Sequence, residues 1–352
     1  MTLPNELIAW QMDAPHRELV RRALPMPTPG PGEVIVEVAG CGLCHTDLSF
    51  LYGGVRTKKE APLTLGHEFS GKVVAAGEAM QRLLGQEVLV PAVLPCGECE
   101  LCKMGRGTAC RKQLMPGNDL DGGFATHACV PGRFLCPVER GDFALWELSI
   151  IADAVTTPYQ AAERANVTAG DVVVVIGTGG IGSYAVQICA ARGAHVIGVD
   201  LDAEKLERVK KFGAAVTVNV TGLDARATKD AVREAAKGAG LKPHAWKVFE
   251  MSGTVGGQSA AYELLTFAGT VGFIGFTMEK IPVRLGNLMA FDATAFGNWG
   301  CAPELYPGAR DLVLSNKVQV RPFVERYPLE EINQVLLRAQ KHELKNRAVL
   351  VP

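Results

Sequence analysis

The sequence predicts an α/β protein with two domains, a mainly-β domain followed by a doubly wound parallel sheet domain. Three observations support this fold class. Short β patterns separated by glycine and proline turns fill the chain before residue 150, strand and helix patterns alternate after it, and a glycine-rich turn joins one buried strand to a helix. The length of 352 residues suits two domains of ordinary size.

Composition and charge exclude several classes of function. Lys+Arg 36 against Asp+Glu 37 give a net charge of -1, so we expect no partner among nucleic acids or anionic membranes. No apolar run approaches the ~20 residues of a membrane helix. Residues 1–6 lack the basic start and apolar core of a signal peptide. We therefore expect a cytoplasmic protein.

The β patterns lie in the first 150 residues. The clearest strand is predicted at residues 34–38, after prolines 25, 27, 29 and 31, which favour an extended or turning backbone. Further strands are predicted at residues 70–76, 87–91 and 124–130, with glycine turns between them. This part of the chain therefore looks like an all-β region that carries loops with metal-binding residues.

One such loop carries a candidate catalytic metal site. Cys44 and His67 offer a thiolate and an imidazole, two of the three protein ligands of a catalytic zinc ion whose fourth position stays open. Asp47 and Glu68 are placed to orient the ligands. For this pair alone, a buried cysteine and a core histidine that never meet is the simpler interpretation. Two features further along the chain, a cysteine cluster and a dinucleotide motif, favour the metal.

Four cysteines lie within fifteen residues in the pattern C-x2-C-x2-C-x7-C. Four closely spaced thiolates in a reducing compartment are typical of a structural zinc site, here a lobe at about residues 94–112. An iron–sulfur cluster also takes four cysteines, and zinc is the favoured of the two. The cluster consists of Cys96, Cys99, Cys102 and Cys110, whereas the predicted core cysteines are Cys41, Cys129, Cys136, Cys189 and Cys301.

The second domain begins with a helix at residues 157–165 and a strand at Val172–Ile176 that reads as buried on both faces. A helix at residues 183–192 and a strand at residues 195–199 follow. Later units continue the alternation, which predicts a parallel sheet. Their helices are predicted at 206–212, 225–236 and 257–265, and their strands at 215–219, 246–251 and 270–276. A final helix at 330–339 and strand at 348–352 do not fit this order, so we expect them to return to the first domain.

The glycine-rich turn predicts a dinucleotide site. Gly177, Gly179 and Gly182 form G-x-G-x-x-G directly after the buried strand and at the start of a helix, and the next strand ends at Asp200. In this Rossmann arrangement the glycines admit a pyrophosphate, the helix N-terminus attracts it, and the acid binds the adenosine ribose. Asp200 would repel a 2′-phosphate, so NAD is favoured over NADP. The alternative is a glycine turn in an α/β domain without a ligand.

In this order the motifs resemble the zinc-containing medium-chain alcohol dehydrogenases over essentially the whole chain. The resemblance implies a GroES-like mainly-β catalytic domain at residues 1–156 and 297–352, and a Rossmann NAD-binding domain at residues 157–296. It also implies two Zn²⁺ ions per chain, NAD, and oxidation of a CH–OH group. Family members without catalytic zinc, such as quinone reductases, and a non-catalytic NAD-binding protein are the alternatives.

The resemblance assigns roles around the catalytic zinc. Cys44 and His67 would be ligands, Glu68 would lie at or near the metal, and Thr46 would take the proton of the alcohol. The third ligand of the family is a cysteine, or in some members an acid, in a segment that matches residues 153–159 here. Asp153 is therefore the candidate third ligand, because a carboxylate binds zinc at ~2.0–2.2 Å. An acid that only orients a ligand or caps a helix is the alternative.

On the cofactor side, the resemblance implies contacts from His45 and Arg347 to the pyrophosphate and from Lys205 to the adenosine ribose. Two positions depart from the family pattern. Ser49 stands where many members place a histidine for proton relay. Ala92 stands where many carry a large aromatic residue, which would leave room for a ring or a bulky acyl group.

A narrower likeness concerns residues 52–57, 115–119 and 298–301, which resemble the 6-hydroxycyclohex-1-ene-1-carbonyl-CoA dehydrogenases of anaerobic benzoyl-CoA degradation. It implies a cyclic hydroxyacyl-CoA as substrate, and it rests on resemblance alone. Arg56, Lys58 and Lys59 could contact the CoA phosphates, although a charge run of this kind is more often a solvated loop. A homo-oligomer, either a dimer or a tetramer, is also expected.

Overall fold

The computed structural model describes residues 3–352 and divides the chain into two compact units. Unit 1 extends to Thr156 and takes up Gly300–Leu314 and Gln319–Pro352, and unit 2 consists of Thr157–Trp299 with Ser315–Val318. The chain therefore returns to unit 1 after completing unit 2. Residues 1 and 2, which belong to the segment in which no signal peptide is expected, lie outside the described residues.

Sixteen strands and ten α-helices are described between residues 3 and 352. The strands are β1 (Glu6–Met12), β2 (Val20–Pro25), β3 (Glu33–Gly42), β4 (Leu63–Thr64), β5 (Glu68–Ala76), β6 (Glu87–Val90), β7 (His127–Pro131), β8 (Cys136–Pro137), β9 (Val172–Ile176), β10 (His195–Asp200), β11 (Ala214–Asn219), β12 (Lys247–Glu250), β13 (Thr270–Phe273), β14 (Thr294–Gly297), β15 (Val324–Pro328) and β16 (Arg347–Val351).

The α-helices are α1 (His45–Leu51), α2 (Glu100–Lys103), α3 (Thr156–Arg164), α4 (Gly182–Ala191), α5 (Ala203–Lys211), α6 (Ala225–Gly238), α7 (Val255–Glu263), α8 (Gly286–Ala290), α9 (Tyr306–Leu314) and α10 (Ile332–Gln340). A 3₁₀ helix at Leu145–Ala152 leads directly into Asp153. Within residues 3–352, none of the helices combines the length and the apolar character that a bilayer crossing demands.

Unit 1 is built around β3. This strand pairs with β5, β7 and β16 in a seven-stranded sheet, and β1 joins β2 and β4 in a smaller one. Alternate valines of β3, among them Val34 and Val36, are buried in the core with Phe69 and Phe124. The antiparallel register of β3 and β5 sets Gly42 opposite Glu68. This pairing brings the loop after β3 close to His67, which precedes β5.

Unit 2 contains a parallel six-stranded sheet in the order β11-β10-β9-β12-β13-β14. All five residues of β9 are buried, as expected for a strand covered on both faces. The chain moves outward from β9 through β10 to β11 and then returns to the other side at β12. This reversal places the switch point, where α/β sheets bind ligands, at the carboxyl end of β9. The predicted α/β fold class, with a GroES-like and a Rossmann part, is confirmed.

Several element bounds differ from the sequence predictions. The strand predicted at residues 124–130 begins only at His127, because Phe124 is fully buried and its carbonyl accepts from the N–H of Trp10 in an isolated contact. The last sheet strand, β14, was not predicted, since half-exposed residues at a sheet edge show no buried apolar run. Helices α1 and α9 were not predicted either.

Candidate active site

Three side chains from separate parts of unit 1 meet at one point. Cys44 lies at the start of α1, His67 immediately before β5, and Asp153 immediately after the 3₁₀ helix. Asp153 Oδ2 lies 3.6 Å from Cys44 Sγ and 3.5 Å from His67 Nε2, and the three ligand atoms are all within 4.8 Å of one another. The structure therefore brings the three predicted ligands together.

Asp47 joins the two segments that carry Cys44 and His67. Its fully buried carboxylate accepts from the backbone N–H of Cys44 at 3.0 Å and from that of Gly66 at 3.2 Å. Asp47 Oδ1 also lies 3.5 Å from His67 Nδ1. At this distance Nδ1 has no hydrogen-bond partner among residues 3–352. The observed role of Asp47 is therefore to hold the backbone of the two segments that carry Cys44 and His67.

The electrostatics of this cluster favour a cation. Burial alone would lower the pKa of His67, but the carboxylates of Asp47 and Asp153 and the sulfur of Cys44 together raise it well above its ordinary value. Asp47, Asp153 and Cys44 thus surround a 2%-exposed imidazole with groups that favour positive charge. A divalent ion satisfies that arrangement better than a proton, because it can contact all three donor atoms at once.

The donor set fits zinc in particular. A thiolate, an imidazole and a carboxylate are ligands of catalytic zinc, whose bonds of about 2.0–2.3 Å place tetrahedral ligand atoms roughly 3.3–3.8 Å apart. The separations of 3.5 and 3.6 Å agree with that spacing. Three protein ligands leave the fourth position for a substrate oxygen. The hydroxyl of Thr46 lies 3.7 Å from Cys44 Sγ.

Glu68 lies outside the three-ligand group. Its carboxylate forms a two-pronged ion pair with Arg347, in which Arg347 Nε donates to Glu68 Oε1 at 2.7 Å and Nη2 donates to Oε2 at 2.5 Å. Both side chains are nearly inaccessible, with exposures of 8% and 0%. The proposed pyrophosphate contact Arg347 is therefore tied to the residue that follows His67. The exposed His45 stacks on His342 with ring centroids 6.3 Å apart.

The four cysteines of the lobe form a second, closed group. Four of their six sulfur–sulfur separations lie between 3.5 and 3.9 Å, and all four sulfurs are within 4.8 Å of one another. These distances are far longer than a disulfide bond of about 2.05 Å and match the edges, about 3.8 Å, of a zinc–thiolate tetrahedron. A cubane iron–sulfur cluster would bind each thiolate to a different iron and hold the sulfurs further apart. The separations therefore favour a single zinc ion.

The backbone of the lobe prepares one of its sulfurs for a metal. The N–H groups of Glu98 and Cys99 lower the pKa of Cys96 to about 6, whereas burial and the neighbouring Cys99 side chain raise the pKa of Cys102 to about 12. Gly97 has φ +76, a left-handed conformation that L side chains rarely adopt, and the nearby Arg133 guanidinium donates to the Cys96 carbonyl at 3.0 Å. The turn between the first two ligands thus requires glycine.

The glycine turn of unit 2 forms an open cradle. Gly177 has φ +84, and a Cβ there would stand 2.8 Å from Ser252, while a Cβ on Gly182 would stand 1.7 Å from the Gly177 carbonyl oxygen. At Gly179, by contrast, the nearest atom to an added Cβ is Lys205 Nζ at 3.9 Å. Two glycines thus permit close packing, and the third leaves space for a phosphate next to a cation and the start of α4.

Asp200 lies beside that cradle at the carboxyl end of β10. Its Oδ2 accepts from the N–H and hydroxyl of Thr178 at 2.7 and 3.1 Å, and its Oδ1 accepts from the N–H of Asp202 at 3.0 Å. These bonds hold the carboxylate in a fixed orientation next to the glycine turn. The position is the one that a ribose-binding acid requires.

Two buried polar residues near these sites were not predicted. Tyr306 has no exposed surface, and its hydroxyl contacts the backbone of Ala92 and of Ala152, the residue before Asp153. Glu250 is fully buried at the end of β12, where it accepts from the N–H groups of Ser252 and Gly253. A charged residue inside an apolar strand pattern could have indicated Glu250, whereas no local pattern marks Tyr306.

The residues that the sequence connects with a bulky substrate differ in burial and in their bonding partners. Ala92 is 4% exposed, and its N–H donates to the Tyr306 hydroxyl at 3.1 Å. Lys58 pairs with Asp119 at 2.8 Å, Lys59 pairs with Asp121, and Arg56 is exposed. The hydroxyl of Ser49 donates to the His45 carbonyl at 2.9 Å and is therefore used inside α1.

Comparisons with known proteins agree with this architecture. The alcohol dehydrogenase GroES-like domain matches residues 30–140, and the zinc-binding dehydrogenase family matches residues 180–315. An alcohol dehydrogenase of Geobacillus stearothermophilus is 31% identical over 322 residues, 91% of each chain.

Solved structures give the same picture. The alcohol dehydrogenase of Aeropyrum pernix has a TM-score of 0.86 and 28% identity, with 98% of this chain and 100% of that chain covered. A cobalt- and zinc-bound thermostable alcohol dehydrogenase of Pyrobaculum aerophilum, at 24% identity and a TM-score of 0.85 over 99% and 100% of the chains, shares the fold.

Proposed function

This chain belongs to the family of zinc-dependent medium-chain alcohol dehydrogenases, and from that premise we propose that Cys44, His67 and Asp153 form the site at which it oxidises a secondary alcohol. The chain is an oxidoreductase acting on CH–OH groups, with zinc and NAD(P) as cofactors. The observation that carries the proposed site is the convergence of three ligand atoms within 4.8 Å beside the hydroxyl of Thr46.

The reaction converts a secondary alcohol and NAD⁺ into a ketone, NADH and a proton. Bound zinc supplies a Lewis acid that lowers the pKa of an alcohol. Thr46 would relay the alcohol proton, since its hydroxyl oxygen can accept that proton while its own proton passes towards solvent, and a bound cofactor would supply the acceptor for the hydride of the carbinol carbon. Asp47 holds the backbone of the segments that carry Cys44 and His67, and the ion pair of Glu68 with Arg347 neutralises a second buried acid next to them.

Metal analysis and a rate assay test the site together. Two zinc ions per chain and NADH formation with secondary alcohols are the expected result. One zinc ion per chain, retained by the lobe, with no turnover would show that the three-ligand group binds no metal. No zinc at all, with quinone reduction, would assign the chain to the zinc-free branch of the fold.

NAD is the proposed cofactor, because Asp200 holds a negative charge where the 2′-phosphate of NADP would bind. Asp200→Gly should lower the ratio of kcat/KM for NAD to that for NADP at least about tenfold, equivalent to ~1.4 kcal/mol. Asp224→Asn, at the N-cap of α6 in the same unit, is the matched control. Wild-type protein that uses both cofactors equally would contradict the proposal.

The proposed substrate is 6-hydroxycyclohex-1-ene-1-carbonyl-CoA, oxidised to the 6-oxo compound in anaerobic benzoyl-CoA degradation. Support comes from the sequence likeness at residues 52–57, 115–119 and 298–301, and from Arg56, an exposed cation of its loop. Lys58 and Lys59 support it less, because both are already paired with acids. An alcohol dehydrogenase for small or cyclic alcohols is the second candidate, favoured by those same ion pairs.

Truncating the substrate separates the two candidates. If binding energy from the CoA phosphates helps to position the ring, 2-cyclohexen-1-ol should have a far lower kcat/KM than the CoA ester. Arg56→Gln should lower kcat/KM for the ester by about 10- to 100-fold, the value of a charged hydrogen bond, and leave the small alcohol unaffected. Arg82→Gln, an exposed arginine of the same unit, is the control. Equal kcat/KM for both substrates would favour the general alcohol dehydrogenase.

A homo-oligomer in the cytoplasm completes the proposal. The edge strand β14 has unpaired backbone groups, and Phe276, Met278, Leu285 and Met289 expose 64–82% of their surface in the same unit. A second copy paired along β14 would cover this region. Met289→Glu should therefore lower the molar mass measured by light scattering, whereas Met104→Glu, on the lobe, should not.

A further inference from the structure

Tyr306 lies at the start of α9 and is the hub of three segments of unit 1. Its hydroxyl donates to the carbonyl of Ala152 and accepts from the N–H of Ala92 at 3.1 Å. A side-chain hydrogen bond also joins it to Thr156. The ring has no exposed surface. A single phenol therefore connects the residue before Asp153, the residue three positions after it, and the segment that follows β6.

The hydrogen bond to Ala152 acts where the backbone needs an anchor. Ala152 is the last residue of the 3₁₀ helix, and carbonyls at a helix end have no partner within the helix. Asp153, the next residue, leaves the helix with φ -143 and ψ -57. The Thr156 hydroxyl also lies 3.4 Å from the Asp153 carbonyl oxygen, so it reaches the other side of that residue's Cα, and its single proton serves either this carbonyl or the phenol.

Asp153 is anchored differently from the other two ligands. Cys44 and His67 are held by Asp47, which accepts from the N–H of Cys44 and from the N–H that precedes His67. No bond of Asp47 to the backbone around Asp153 is found among residues 3–352. The corresponding anchor for the third ligand is the Tyr306 network.

We propose that Tyr306 is a positioning residue that fixes the backbone of the third zinc ligand, Asp153, through Ala152 and Thr156. The inference rests on the proposed role of Asp153 as a ligand. It extends that role by assigning the geometry of the site to a residue about 150 positions further along the chain. A tyrosine that only fills the core would need its ring but not its hydroxyl.

Tyr306→Phe removes the hydroxyl and keeps the ring. Loss of a partner that orients a metal ligand typically weakens metal binding by about 10- to 100-fold. We expect that loss at the three-ligand site, measured by competition with a chelator, while the lobe keeps its zinc. Tyr327→Phe, on β15, removes the hydroxyl of another buried tyrosine from a segment without ligands and should leave the affinity unchanged.

Cobalt substitution adds a readout that does not depend on activity. The visible absorption of Co²⁺ reports its coordination geometry, so Tyr306→Phe should shift the bands of the three-ligand site and leave those of the four-cysteine lobe unchanged. Thr156→Val, which removes the hydroxyl next to the phenol, should shift the same bands by less. This second variant keeps the proposal testable if Tyr306→Phe does not fold.

Asp153→Asn in the same assay distinguishes the role of Asp153 as a ligand from the role of Tyr306 in positioning it. Weakened metal binding in Asp153→Asn, with wild-type affinity and spectra in Tyr306→Phe (or in Thr156→Val, if Tyr306→Phe does not fold), would overturn the role of Tyr306 and leave the proposed function standing. Unchanged metal affinity in Asp153→Asn would overturn both, because Asp153 would then not be a ligand. Weakened binding in both variants, with unchanged Tyr327→Phe, would support the proposal.

Discussion

The two metal sites of unit 1 use different strategies. The lobe takes its four ligands from fifteen consecutive residues and is closed by sulfur on every side. The candidate three-ligand site gathers Cys44, His67 and Asp153 from three segments far apart in the sequence, and these three donors would leave a fourth coordination position of a zinc ion for the substrate. A local site therefore stabilises mainly its own loop, whereas a distributed site depends on the folding of the whole unit.

Removing a ligand from the distributed site should have the largest effect of all. Cys44→Ser replaces a soft thiolate with a hydroxyl, and metal-ion catalysis is worth several kcal/mol, so kcat should fall about a thousandfold or more. Initial rates together with zinc content check this. Cys129→Ser, a half-buried cysteine beside Glu33, is the control. Activity within tenfold of wild type would remove Cys44 from the catalytic site.

Removing a ligand from the lobe should change stability more than chemistry. Cys99→Ser leaves three thiolates, and we expect a loss of about 3 kcal/mol or more in the free energy of unfolding. For a unit of this size that corresponds to a Tm lower by roughly 6–12 °C. Calorimetry and single-turnover hydride transfer check the two halves of the prediction. A stable, zinc-replete variant without activity would show that the lobe serves catalysis and not stability.

Weakening the support of the distributed site should have a smaller effect. Asp47→Asn keeps the shape of the side chain but removes its charge, so metal affinity at the three-ligand site should fall by about 10- to 100-fold. The lobe should keep its zinc during the same chelator titration. An equal loss from both sites would mean that Asp47 stabilises the unit as a whole and not one site.

The smallest effect is expected at Cys41. This cysteine lies three residues before Cys44, yet burial raises the pKa of its thiol well above the ordinary value, followed by the effect of Asp47. It therefore remains a neutral core residue, and Cys41→Ala should cost about 1 kcal/mol of stability. Zinc content should stay at the wild-type value. Loss of one zinc ion in this variant would make Cys41 a ligand.

The lobe could be predicted from the sequence because its spacing alone determines its geometry. The glycine turn could be predicted for the same reason, since Gly177, Gly179 and Gly182 stand between a buried strand and a helix. The meeting of Cys44 with His67 depends on the register that pairs Gly42 with Glu68, which no local pattern contains. Asp153 was identified through family resemblance, and the structure supplies its physical position.

Other features were beyond the reach of pattern reasoning. Tyr306 has no motif, because its role comes from backbone atoms of Ala92 and Ala152, whose residue types carry no signal. The ion pair between Glu68 and Arg347 joins residues 279 positions apart. Lys58 and Lys59 likewise pair with acids that lie 61 and 62 residues further along the chain. The sequence alone therefore did not show that these two cations are already in ion pairs.

The way in which Tyr306 holds its neighbours has an evolutionary consequence. It contacts the backbone carbonyl of Ala152 and the backbone N–H of Ala92. Every residue type has a backbone carbonyl, and every type except proline has a backbone N–H. The side chain at position 153 can therefore mutate between carboxylate and thiolate while its backbone stays in place. A lineage with this scaffold can thus vary the electron density at its metal by a change at one codon, with the remaining ligands inherited intact.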